Sequence, residues 1–174
     1  MLLTSRQRGR KRVDLKGEGH VQTLIPDNAD DVVDEQDDNG HMRMWTKGHV
    51  GVIQVHGHLT TALAQQQALW LQRRAQSVLD EGAKIQLFQQ WWAMTGYDSK
   101  SRSLLTQVMV PIIKHYEEIT FLLQSRIVQM GVAVANVALE ARLQSMTDAA
   151  AYQAKFALAA SKVGLDAVQV VALD

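Results

Sequence analysis

The chain has 174 residues, enough for one domain of ordinary size with a tail, and its 47% hydrophobic content is sufficient for a sizeable core. Lys+Arg 18 against Asp+Glu 18 leaves no net charge, which removes a global electrostatic case for nucleic acid or an anionic membrane. With no cysteine there are no disulfides and no thiolate zinc sites, and no apolar run approaches the ~18 residues that a membrane span requires. The opening MLLTSRQRGRKR lacks the apolar core of a signal peptide, and the chain is read as cytoplasmic.

The neutral total conceals two opposite blocks. Arg6, Arg8, Arg10, Lys11, Arg12 and Lys16 make the start basic, and Asp27, Asp30, Asp31, Asp34, Glu35, Asp37 and Asp38 follow as an acidic run. Few large apolar residues accompany either block, so residues 1–40 are expected to form a flexible charged tail ahead of a domain at 41–165, with 166–174 as a short extension. The basic half of the tail reads as a weak nucleic-acid or partner-binding arm or, as the default, as part of a solvated tail whose two halves attract each other.

From His41 the pattern becomes that of a folded domain. HMRMWTKG and VGVIQVHGHL read as two extended segments with a hairpin turn at Gly48. In the second, Ile53 and Val55 share one face, while Val52, Gln54, His56 and His58 share the other. Thr60 or Thr61 caps a helix whose apolar stripe is Leu63, Ala68, Leu71, Ala75, Val78 and Leu79, closed by Gly82. Residues 83–94, AKIQLFQQWWAM, form a strand, and Asp98 or Ser99 opens a second helix that Pro111 shortens or kinks. EEITFLLQS is apolar enough for a central strand. IVQMGVAVANVALEARLQS reads as a helix rich in small residues, although its valines also favour strand, and TDAAAYQAKFALAASKVG is a capped helix with Tyr152 and Phe156 on one face. Strands alternating with helices predict an α/β fold: a single layered domain with a mostly parallel central sheet, an N-terminal hairpin edge and helices packed on it.

Catalytic constellations are sparse. Ser99 and His115 would sit at opposite ends of one helix, about 20 Å apart at 1.5 Å per residue, and no glycine-flanked nucleophile elbow surrounds Ser99. His56 and His58 have strand spacing for a metal site but lack a third ligand at a diagnostic distance. Glu117 and Glu118 point apart on a strand. No phosphate loop or dinucleotide fingerprint occurs. No enzyme activity, cofactor or metal is expected. Trp91, Trp92 and Tyr97 are core residues or, alternatively, the lining of a cleft or contact surface.

IQVHGHLTTALA, with Gly57-His58-Leu59 between a strand and a helix, resembles the STAS family, as does WWAMTGYDSKSRSLL, where Asp98 and Ser99 open the second helix. SRIVQMGVAVANVAL is also similar to bacterial STAS-like proteins. The resemblance spans about residues 42–160. It implies a non-catalytic regulatory module, with Ser99 as a phosphorylatable switch beside Asp98 and with Lys100 and Arg102 in the docking surface. It also implies a protein partner, such as a regulatory kinase or scaffold; self-association is the other option. The sequence departs from the family in following the serine with Lys100 rather than a small residue. Two alternatives stand beside this reading: a small-molecule or lipid-binding domain with an apolar cleft, and a self-assembling structural protein. A role for Asp98 and Ser99 as nothing more than a helix cap also stands.

Overall fold

A computed structural model describes residues 25–79 and 82–165. Seven strands and four helices follow in the order β1 (Asp30–Gln36), β2 (Gly40–Lys47), β3 (Val50–Leu59), α1 (Thr61–Leu79), β4 (Ile85–Trp91), β5 (Met94–Tyr97), α2 (Ser99–Ile112), β6 (Tyr116–Leu123), α3 (Arg126–Ala138), β7 (Leu143–Met146) and α4 (Ala149–Ser161). The sheet order is β1-β2-β3-β4-β6-β7, with β5 pairing to the end of β3. β2 pairs antiparallel with β1 on one side and β3 on the other, and every later pairing is parallel. The expected α/β architecture, a mostly parallel sheet with a hairpin edge, is the one observed.

Alternation along the strands divides the core into two clusters. Ile53, Val55, Leu87, Trp91, Ile119 and Phe121 pack beneath α1, α2 and α3. Val52, Phe88 and Leu122 face the other way, onto Tyr152 and Phe156 of α4. There Phe88 meets Tyr152 and Phe156 edge-on, with ring centroids 5.9 and 5.2 Å apart, the geometry that the ring quadrupole favours. Burial drives the Tyr152 phenol far above its ordinary range. α1 buries Leu63, Ala68, Leu71, Ala75 and Val78 of the stripe expected from its spacing, together with Ala64 and Trp70. Pro111 lies in the last turn of α2, which ends one residue later and passes into a 3-10 turn through His115.

Two boundaries differ from the sequence expectation. The sheet begins at Asp30, ten residues inside the segment expected to be a tail, because the acidic run has partners on β2. Asp34 pairs with His41 and Arg43, and Asp30 with Lys47. Residues 1–24 and 166–174, which hold the rest of the tail and the extension, lie outside the described residues. The expected strand at 83–94 is also interrupted. Gln54 pairs with Gln90, but Gly57 pairs with Met94 and His58 with Gly96, so the β4–β5 side carries an extra residue twice over. Such bulges bend a strand and re-aim its side chains. Here they carry the chain along the end of β3 and deliver Asp98 beside it.

Candidate functional site

The site lies where β3 and β5 end and α1 and α2 begin, at the carboxyl edge of the parallel strands, where open α/β sheets ordinarily place their ligands. Gly57 sets its geometry. It takes φ +73°, and a side chain there would collide with the Asn39 carbonyl; only glycine adopts this left-handed conformation at low cost. The turn at Gly57 leads His58 toward Asp98, with Nε2 2.9 Å from Oδ1.

Asp98 is the hub. Its Oδ2 accepts hydrogen bonds from the Thr61 amide at 2.9 Å and the Thr61 hydroxyl at 3.1 Å. Its amide donates to the Leu59 carbonyl, which also accepts from the Ser101 hydroxyl at 3.1 Å. One carboxylate thereby joins β3, α1 and α2. The hydrogen bond with His58, then those from Thr61, hold the Asp98 carboxyl below the ordinary carboxylate range. A second carboxylate supports the same edge. Asp37 accepts from the amides of Asn39 and Gly40 in the turn before β2, and from the Thr60 hydroxyl at 2.6 Å. The Thr60 bond and that turn lower its pKa too.

Asp98 occupies the cap position of α2 and yet makes no side-chain cap bond to it. Its oxygens are committed to His58 of β3 and to Thr61 of α1, a helix whose own cap is Thr60, which accepts from the Leu63 amide at 3.3 Å. The first turn of α2 therefore has no capping side chain. Ser99, Lys100 and Arg102 are exposed there, and the Ser99 hydroxyl has no hydrogen-bond partner among the described residues.

The hydroxyls near His58 are engaged elsewhere: Thr60 donates to Asp37, Thr61 to Asp98 and Ser101 to Leu59. The His58–Asp98 pair has an orienting acid but no hydroxyl hydrogen-bonded to the imidazole, so the arrangement that activates a nucleophile is incomplete. Ser99 starts α2 and His115 ends the 3-10 turn beyond it, at opposite ends as expected. His56 lies opposite His41 in the hairpin, and His49 is in the turn at the other end of these strands, so His41 and His49 do not meet. Among the described residues no three His, Cys, Asp or Glu side chains gather to hold a metal.

The aromatic candidates separate. Trp91 packs edge-on against Phe121 at 4.9 Å beneath the α1–α3 layer. Trp92 is half-buried against the α4 cluster on the other face of the sheet. Tyr97 is half-buried on the Trp91 side, its hydroxyl seated where a side chain at Gly131 would be. Trp91 and Tyr97 line a mainly apolar cavity of about 70 Å³ under α2 and α3, and Trp92 does not. This volume is small beside the roughly 300 Å³ or more that an organic ligand needs. The three residues do not form the single apolar cleft that a lipid-binding reading requires.

Sequence reasoning named Asp98 and Ser99 but assigned no site role to Asp37, Thr60, Thr61 or Ser101. The stretch Asp37-Asp38-Asn39-Gly40 carries the side-chain-to-backbone turn signature that flags Asp37. Nothing local indicates that it reaches Thr60, 23 residues away.

No family model and no curated protein matches the chain. Its structure is similar to the crystal structure of an uncharacterized protein from the DUF3478 family with a SpoIIAA-like fold, from Shewanella loihica PV-4. Identity is 11%, the TM-score is 0.45, and the likeness covers 72% of this chain and 92% of that one. At this level of likeness the site has to be read from this chain's own residues.

Proposed function

We propose that this chain is a non-catalytic interaction module that docks a protein partner on the surface from Asp98 to Arg102, with Ser99 as the residue whose phosphorylation controls docking. The observation that carries this reading is the uncapped start of α2. Asp98 stands in the cap position but serves α1, so the exposed Ser99 hydroxyl sits beside backbone N–H groups that no side chain satisfies. A phosphate on Ser99 meets those N–H groups and the positive end of the helix dipole. Lys100 and Arg102 supply cations within the same turn, and the added charge of about −2 changes what the surface binds. The Asp98 latch keeps the platform rigid by tying three elements together, so docking needs little ordering of the backbone.

Affinity capture from the native host with wild type, Ser99→Ala and Ser99→Asp, read by quantitative mass spectrometry, tests the proposal. A partner held by wild type and Ser99→Ala but lost with Ser99→Asp is the expected result, with unchanged melting temperatures as the folding control. Identical partners for all three would remove Ser99 from any switching role.

A further inference from the structure

The outward face of α3 is unlike that of an ordinary surface helix. Ile127, Met130, Val134 and Val137 are 70, 69, 60 and 88% exposed, and no charged side chain occurs between Arg126 and Glu140. The inward face is apolar too, with Val128, Gly131 and Val132 buried against the sheet. Its polar residues between the ends, Gln129 and Asn136, are half-buried, and a helix apolar on both its inner and outer faces is normally covered on both.

We propose that the cover is a second copy of this chain, packed α3 against α3 in antiparallel fashion about a two-fold axis. The four exposed residues recur at intervals of three, four and three, the seam spacing of two packed helices. Antiparallel pairing centred near Val132 places Ile127 opposite Val137 of the second copy and Met130 opposite Val134 of the second copy. A two-fold interface must be complementary to itself, and an uncharged ridge meets that condition without setting like charges face to face.

The ends select the direction. Arg126 is exposed at the start of the helix and makes no ion pair among the described residues, while Glu140 is exposed just past its end, 3.7 Å from Arg142. Antiparallel packing brings each Arg126 to Glu140 of the second copy, about two residues, or ~3 Å, along the axis from direct opposition. Parallel packing would set like charge beside like. Such rim pairs fix orientation more than they add affinity.

The area suffices. At these exposures the four side chains leave on the order of 500 Å² in water, a large patch for a monomer. Two copies together bury about 1,000 Å² before Ala133, Ala138 and the rim are counted, which reaches the range of specific interfaces. An interfacial membrane helix, the competing occupant, carries Lys and Arg along its polar side; this stretch has Arg126 alone and ends in an acid.

Sedimentation equilibrium of the full chain up to ~100 μM, a range that detects micromolar association, provides the test. A wild-type dimer is expected, with dissociation constants raised at least ~10-fold by Met130→Glu or Val134→Glu, since each places two like charges across the axis. Val134→Thr, which keeps shape and adds no charge, should weaken the dimer less and serves if the Glu variants fold poorly. Arg126→Glu and Glu140→Arg should each weaken it, and the double exchange should restore it. A monomer throughout the range, a dimer indifferent to Val134→Glu, or a monomer that pellets with neutral phosphatidylcholine vesicles would each overturn the proposal. Failure of the double exchange to rescue would overturn the antiparallel arrangement.

Discussion

α1 and α3 do the same work on the same face of the sheet, and their outer surfaces could hardly differ more. α1 covers the core with Trp70, Leu71 and Ala75 and turns Gln65, Gln66, Gln72, Arg73 and Gln76 to solvent. α3 covers it with Val128, Gly131 and Val132 and turns Ile127, Met130, Val134 and Val137 outward. Packing on the sheet dictates only the inner stripe of each helix, because only that stripe leaves water when the domain folds. The outer stripe is free to answer to something else. On α1 that is solvent; on α3 it is a second surface. The Asp98 edge contrasts with both, since hydrogen bonds hold its parts together and leave the Ser99 hydroxyl without a partner among the described residues.

The inner faces should carry the largest effects. Trp70 is fully buried and donates its indole N–H to the Asp31 carbonyl at 3.2 Å. Trp70→Ala is expected to cost about 3–5 kcal/mol, seen as a lower urea midpoint, and a change of under about 1 kcal/mol would mean the site collapses to fill the space. Gly131→Ala comes next, at about 1–3 kcal/mol, because the new methyl overlaps the Tyr97 hydroxyl. Adding Tyr97→Phe should recover part of that loss, and a double variant no better than Gly131→Ala would show that the backbone of α3, not Tyr97, absorbs the clash.

The Asp98 latch should show in the pH dependence rather than at neutrality. Its folded-state pKa lies below the ordinary 3.8, so in that acid window the unfolded chain binds more protons than the folded one. The stabilisation is therefore present above about pH 4 and fades as pH falls through the folded value. Asp98→Asn should flatten this acid limb in thermal melts taken between neutral and strongly acid pH, and an unchanged limb would assign it to other carboxylates. The smallest effects belong to the outer face of α1. Gln72→Ala and Gln76→Ala should move stability by no more than about 0.5 kcal/mol and leave the oligomeric state alone, in contrast to Val134→Glu on α3.

Much of the fold was legible because its signals are local. The α1 stripe, the hairpin turning at Gly48 and the opposed faces of β3 all follow from periodicity within one segment. The strands that escaped notice had no such signal. DDVVDEQ offers only Val32 and Val33 as apolar residues and is held by β2 through its acids. MTGY and LQSM are four residues each, too short for alternation to register. At the site, Asp98 and Ser99 stood out as a helix-opening pair, and the wrong helix was assigned to Asp98. The residue type announces a cap, whereas the helix it serves depends on which amide comes within reach.

The sequence by itself determined the types of the longer elements, the inner faces of α1 and α4 and the alternation of strand and helix, since each depends on the period of apolar residues along a short stretch. Tertiary structure alone decided that Asp98 would meet His58 and Thr61, 40 and 37 residues away. It also decided that the apolar outer stripe of α3 would be left facing water. Those outcomes depend on where the bulges after β4 place the chain and on which surfaces remain once the sheet is covered, and neither is a property of any single segment.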